Sequence, residues 1–210
     1  MPTLVPRSIR SIILPIDPNL IFEAILFAAN AHTGQYRKET NIPYISHPIN
    51  VMKILCQNGC KEQIVVAGIL HDVVEDTPVT MEEVEAKFGS EVAFLVRGAT
   101  ETQKLDKTRH ASNKESWKER KQHTIDFLTN EATPEQLLVS AADKLDNLRA
   151  IHDDYSKLGE EVWTRFNAGK EEQEWYYSGI SEAFMKRSKE IGEPLKGISE
   201  EISSIVHSIF

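Results

Sequence analysis

Four ionisable side chains fall within six residues at the end of an apolar segment. His71, Asp72, Glu75 and Asp76 follow the run IVVAGIL at 64–70. Burying such groups beside apolar residues is costly unless a partner compensates them. On one helix, residues four apart share a face, so His71 aligns with Glu75 and Asp72 with Asp76. Imidazole and carboxylate groups together favour a divalent cation as that partner.

Two distant residues extend this candidate metal site. His47 begins the preceding predicted helix, and Asp143 interrupts the apolar segment LLVSAADKLDNL at 137–148. An unpaired aspartate in such a helix would be expensive. Two imidazoles and two carboxylates leave positions for water and substrate on an octahedral ion. Nitrogen and oxygen ligands without thiolate suit Mn²⁺ or Fe²⁺, with Mg²⁺ or Zn²⁺ as alternatives.

Helical periodicity dominates the elements that must position these residues, and alternating strand patterns are scarce. The sequence predicts one all-α domain, residues 1–210, of roughly eight to ten helices. Their expected positions are about Pro18 to Thr33, from His47-Pro48, Lys61 to Glu75, after Thr80 to Phe88, Ser90 to Gly98, Trp117 to Leu128, Pro134 to His152, Glu160 to Phe166, Lys170 to Glu190 and Ile198 to Ser208.

Composition limits the partners. The net charge of −8 argues against bulk affinity for nucleic acid or anionic membrane. No apolar stretch approaches the roughly 20 residues that span a bilayer. Cys56 and Cys60 make neither a disulfide framework nor a complete zinc site, and we interpret them as reduced thiols. Cytoplasm is the expected compartment, and the sequence leaves the oligomeric state open.

The segment 104–121 is locally basic, with seven Lys and Arg residues against three Asp and Glu. Either a solvated loop or a flap that faces phosphates would fit this charge. The aromatic segment 163–177 also has two interpretations. It either packs in the core or closes a nucleotide pocket through Arg165, Asn167 or Lys170.

The order H…HD…D resembles the HD superfamily of metal-dependent phosphohydrolases. Three segments, AHTGQYRKETNIPYISHPINV (31–51), GILHDVVEDTPVTMEEVEAKFGSEVAFLV (68–96) and AADKLDNLRAI (141–151), are similar to the hydrolase domain of the RelA/SpoT alarmone enzymes. The similarity covers about residues 20–152, with helices of 153–210 expected to pack on that core. Because the chain ends at Phe210 without a synthetase domain, we expect a stand-alone small alarmone hydrolase.

This resemblance implies removal of the 3′-pyrophosphate from (p)ppGpp, a small-molecule nucleotide, with Mn²⁺ as the cofactor. It also implies roles by position. The metal ligands would be His47, His71, Asp72 and Asp143, and the pair that handles the attacking water Glu75 and Asp76. Substrate contacts would come from Arg37, Lys38, Asn147 and, more weakly, Arg149.

Some residues depart from the family pattern or fit two interpretations. Asp146 stands where histidine or tyrosine is often found. His32 matches a framework histidine, and Tyr44 suits either the pocket or the core. Three functional alternatives remain open at this stage: a hydrolase of the adenosine alarmone (p)ppApp, another HD-type phosphohydrolase such as a 5′-nucleotidase, and a catalytically silent alarmone-binding protein.

Overall fold

The computed structural model describes residues 18–100 and 117–210, so most of the basic segment at 104–121 lies outside the described residues. The described ranges are helical, with one isolated bridge between Tyr36 and Pro43. This confirms the predicted all-α class. The helices are α1 (Pro18–Ala31), α2 (Ser46–Gln57), α3 (Glu62–Leu70), α4 (Val73–Asp76), α5 (Met81–Phe88), α6 (Ser90–Ala99), α7 (Trp117–Asn130), α8 (Pro134–Leu158), a 3₁₀ segment (Gly159–Arg165), α9 (Lys170–Ile191) and α10 (Leu195–Ile209).

Capping residues fix the starts of α5 and α8. Thr80 begins α5 with a capping box, in which its hydroxyl accepts from the backbone of Glu83 and the Glu83 carboxylate accepts from Thr80. Thr133 and Gln136 form the same arrangement at the start of α8, and Pro134 follows in the first turn, where its missing N–H costs nothing. These reciprocal bonds fix where α8 starts, nine residues before Asp143.

The helix that carries the histidine and three carboxylates is interrupted, whereas the sequence predicts one continuous helix from Lys61 to Glu75. A turn at His71 and Asp72 separates α3 from α4. The Nδ1 of His71 lies 2.8 Å from the Gly68 carbonyl oxygen. The Asp72 N–H would use that same acceptor in a continuous helix. The i,i+4 alignment nevertheless survives, because Asp76 N donates to Asp72 O at 2.9 Å.

Helix α8 is the central packing element. It contacts α2, α3, α6, α9 and α10. Its apolar residues Leu137, Leu145 and Leu148 are almost fully buried. In the described ranges, none of the helices combines the length and apolarity that crossing a membrane requires. The packing therefore brings together the C-terminal end of α3, the N-terminal end of α2 and the middle of α8.

Candidate functional site

The four predicted metal ligands converge on one point. His47 Nε2 lies 3.2 Å from both His71 Nε2 and Asp143 Oδ1. Asp72 Oδ2 lies 3.1 Å from His71 Nε2 and 3.6 Å from His47 Nε2. His47 and His71 are each 1% exposed, whereas the side chain of Asp72 is 16% exposed.

The two imidazoles are held by their other ring nitrogens. His47 Nδ1 lies 2.6 Å from Asp146 Oδ2, and His71 Nδ1 lies 2.8 Å from the Gly68 carbonyl oxygen. A hydrogen bond at one ring nitrogen sets the role of the other. Both Nε2 atoms are therefore directed into the cluster, where each is available as a ligand atom.

The two carboxylates are held from outside in the same way. The Tyr44 hydroxyl donates to Asp72 Oδ2 at 2.5 Å. Asn147 Nδ2 donates to Asp143 Oδ1 at 2.6 Å, and the Lys144 ammonium group pairs with Asp143 Oδ2. Such outer contacts fix the orientation of ligand groups and tune their affinity for an ion.

Charge within the cluster shifts the pKa values of all four groups. Burial alone would lower the pKa of His71, but the charge of Asp72 raises it well above 6.5. Burial likewise opposes protonation of His47, yet hydrogen bonds to Asp143 and Asp146 raise its pKa. Although burial favours the neutral acids, the His71 charge lowers the pKa of Asp72 and the Lys144 charge that of Asp143. Protons on the imidazoles and a cation thus compete for the same site.

The donor set fits a divalent ion. His47, His71 and Asp143 each offer one ligand atom, and these atoms lie within 4.8 Å of one another. Adjacent ligands of an octahedral ion bound at about 2.1 Å lie about 3 Å apart. The distances of 3.1–3.6 Å between the Nε2 and Oδ atoms are close to that spacing. Two imidazoles and two carboxylates form a nitrogen and oxygen set of the kind that Mn²⁺, Fe²⁺ or Zn²⁺ accepts.

The cluster lies in the wall of a cavity of ≈ 550 Å³. Glu75 and Asp76 line this cavity, one turn after the ligands of the same segment. Asp76 Oδ2 lies 3.2 Å from the Tyr44 hydroxyl, and its carbonyl accepts from Gln35 at 2.8 Å. Two carboxylates beside a candidate metal site provide the groups that can orient water and accept its proton.

Cationic side chains line the same cavity, in contrast to the negative net charge of the chain. They come from the loop before α2 and from α6, α7 and α8, and they are Arg37, Arg97, Arg120, Lys121 and Lys144. Phe94, Phe127 and Tyr176 supply apolar surface. The cavity therefore combines a cluster of imidazoles and carboxylates with cations and aromatic rings, which suits an anionic ligand that carries a planar ring.

The predicted substrate residues lie in three places. Arg37 and Asn147 both line the cavity and are joined by a 2.8 Å hydrogen bond. Lys38 points instead to the Phe166 ring, with its Nζ 5.8 Å from the ring centre.

Arg149 is not brought to this cavity. Its guanidinium group pairs with Glu201 of α10 at 2.6 Å, and both residues line a separate hollow of ≈ 220 Å³. The physical reason is helix geometry, because two residues after Asn147 correspond to a rotation of about 200° around α8. The family resemblance assigns Arg149 to substrate binding, but in the structure Arg149 pairs with Glu201 outside the cavity.

Sequence reasoning did not assign three residues of the site. Asp146 and Lys144 brace His47 and Asp143, and Arg97 lines the cavity. Asp146 lies three residues after Asp143, which places both on one helix face. That spacing was a usable signal, whereas no motif marks Arg97.

Comparison with known proteins places these features in a family. The HD domain family matches residues 24–173. A mouse protein named guanosine-3′,5′-bis(diphosphate) 3′-pyrophosphohydrolase MESH1 is 35% identical over 184 residues, 86% of this chain and 93% of that protein. A probable guanosine-3′,5′-bis(diphosphate) 3′-pyrophosphohydrolase of Synechocystis is 39% identical over 132 residues, but this chain spans only 17% of its length.

A solved structure extends the similarity to the fold. A metazoan ortholog of SpoT, described as hydrolysing ppGpp, superimposes with a TM-score of 0.68 at 29% identity, covering 93% of this chain and 97% of that one. These matches confirm the resemblance that the three sequence motifs indicated.

Proposed function

The chain belongs to the HD-domain family, and we propose that it is a metal-dependent hydrolase that removes the 3′-pyrophosphate of ppGpp or pppGpp. The products are GDP or GTP and pyrophosphate. The observation that carries the proposal is the cluster of His47, His71, Asp72 and Asp143, with Glu75 beside it in a cation-lined cavity. The mouse relative with 93% of its length covered supports this substrate class.

We propose Mn²⁺ as the ion, held by His47, His71, Asp72 and Asp143. The mixed imidazole and carboxylate donors support Mn²⁺ over Mg²⁺, which favours oxygen ligands, and the family resemblance supports Mn²⁺ over Fe²⁺ and Zn²⁺, which accept the same donors. When bound, the ion supplies Lewis acidity for the phosphoryl group and lowers the pKa of water.

Glu75 and Asp76 act on the attacking water. We assign proton acceptance to Glu75, which lines the cavity one turn after His71, and the orienting of the water to Asp76, whose carboxylate lies 3.2 Å from the Tyr44 hydroxyl. The water oxygen forms a bond to the phosphorus that is linked to the ribose. The bond between that phosphorus and the ribose 3′ oxygen breaks, and the 3′ oxygen takes the proton that Glu75 accepted from the water, giving a 3′ hydroxyl.

The cavity cations bind the phosphates and the base. Arg37 is planar, interacts with the Tyr44 ring at 5.8 Å and is positioned by Asn147, so it can stack on a purine. Arg97, Arg120 and Lys121 provide charge for the remaining phosphate groups in the same cavity.

A product analysis on the Mn²⁺-loaded protein tests the proposal. With ppGpp, the wild type should release pyrophosphate and GDP, whereas a Glu75→Gln variant should bind Mn²⁺ but lose most turnover. Positioned general bases contribute about 10²–10⁴-fold to rate, which sets the expected loss. An Asp153→Asn variant on an exposed part of α8 is the matched control and should keep wild-type turnover.

The same panel contains the competing outcomes. Faster cleavage of ppApp would change the nucleobase assignment, and orthophosphate release from nucleoside monophosphates would indicate a 5′-nucleotidase. Tight ppGpp binding without turnover in the manganese-loaded wild type would indicate a binding protein.

A further inference from the structure

Asp146 is a buried carboxylate for which the proposed reaction has no chemical use. It lies on α8, three residues after Asp143, and is 7% exposed. Its Oδ2 is 2.6 Å from Nδ1 of His47, a residue 99 positions earlier in the chain. We propose that Asp146 is a positioning residue that orients His47 and thereby sets the affinity of the cluster for a divalent cation. The inference rests on the proposed metal site but not on the identity of the nucleotide.

The first argument concerns the His47 ring. Because Nδ1 donates to Asp146, Nε2 is left as the atom that faces the cluster, 3.2 Å from Asp143 Oδ1. Which nitrogen of a histidine binds a metal is determined by the hydrogen bond of the other nitrogen. Asp146 therefore selects both the tautomer and the direction of the ligand atom.

The second argument comes from a comparison within the site. His71 is oriented by a neutral acceptor, the Gly68 carbonyl oxygen at 2.8 Å, whereas His47 is oriented by a carboxylate at 2.6 Å. Hydrogen bonds to charged acceptors are shorter and stronger than neutral ones. A carboxylate behind the ring also makes the imidazole a more basic ligand. The two histidines thus differ in the group that orients them. The strength of His47 as a metal ligand depends on a side chain, which a substitution can change.

The third argument is the cost of burial. Asp146 lies between the core residues Leu145 and Leu148, where an apolar side chain would avoid desolvation of a charge. The His47 ring is the polar partner of this buried carboxylate, with Nδ1 2.6 Å from Asp146 Oδ2. The carboxylate is therefore explained by its contact with a proposed metal ligand and not by apolar packing.

The test is Mn²⁺ titration of chelator-stripped protein by isothermal calorimetry. Asp146→Asn keeps the size and an acceptor oxygen but removes the charge, and the Mn²⁺ Kd should rise about tenfold. Asp146→Leu removes the acceptor as well, and the Kd should rise by up to about 100-fold. The Mn²⁺ concentration that gives half-maximal activity should rise by the same factors. Asp153→Asn, the same change on an exposed part of α8, should leave the Kd unchanged.

The outcomes separate a positioning role from a structural one. An unchanged Kd in Asp146→Asn would overturn the proposal, as would loss of the folded state in that variant before any metal is added. Failure of the wild type to bind Mn²⁺ would contradict the proposed metal site itself. Mn²⁺ binding by a wild type that leaves ppGpp intact would contradict the proposed reaction and leave the role of Asp146 standing.

Discussion

Metal binding should raise the thermal stability of this chain by an amount that depends on the proposed metal ligands and not on the proposed catalytic pair, Glu75 and Asp76. His47 in α2, His71 in the turn after α3 and Asp143 in α8 are distant in sequence and meet only in the folded chain. A ligand that binds only the folded state at 100 times its Kd adds about 2.7 kcal/mol to the free energy of unfolding. For a chain of this size each kcal/mol corresponds to about 2–4 °C. We expect Mn²⁺ to raise Tm by about 5–11 °C.

Differential scanning calorimetry of three proteins, each with EDTA and with Mn²⁺, tests this expectation. The wild type and Glu75→Gln should show the full increase in Tm. His71→Ala should show almost none, because one of the four ligand groups is gone. Comparing each variant with its own metal-free sample removes any effect of the substitution on basal stability. An equal Mn²⁺ shift in His71→Ala and the wild type would refute the assignment of ligands.

Further outcomes follow from the same structure. Mn²⁺ binding near pH 7 should release protons and weaken as the pH falls, because His47 and His71 have raised pKa values in the metal-free cluster. Calorimetry in two buffers of different ionisation enthalpy measures the number of protons released, and binding heats that do not depend on the buffer would contradict the prediction. Gly68→Ala should lower the free energy of unfolding by about 1–3 kcal/mol, because the Cβ of the new alanine would lie 2.4 Å from Leu55 Cδ1. A denaturation midpoint equal to that of the wild type would contradict this prediction. Thr80→Ala should cost about 1 kcal/mol through loss of the α5 capping box, measured in the same way.

The helices were predictable where local signals coincide. Thr80 and Glu83 combine a cap with an apolar period, and the structure has the corresponding helix from Met81 to Phe88. The break at His71 was not predictable, because it depends on a side chain that bonds the carbonyl of Gly68 only after the ring is turned into the cluster. Hydrophobic periodicity predicts which segments are helical, but it does not show where a side chain replaces a backbone N–H as the partner of a helix carbonyl.

The site was predictable in its ionisable residues and less so in their surroundings. His47 and Asp143 are conspicuous because each interrupts or opens an apolar helix, and a buried charge requires a partner. The position of a long cationic side chain depends on neighbours that are distant in sequence. Arg149 pairs with Glu201 outside the cavity, and Lys38 lies beside the Phe166 ring.

Hydrolysis of ppGpp in ¹⁸O-labelled water tests the central claim most directly. Mass spectrometry of the products from the Mn²⁺-loaded enzyme should find the labelled oxygen in pyrophosphate and an unlabelled 3′ hydroxyl on GDP. This result would follow from attack of water on the phosphorus next to the ribose. Labelled GDP, release of orthophosphate in place of pyrophosphate, or equal turnover by Glu75→Gln would contradict the proposed reaction.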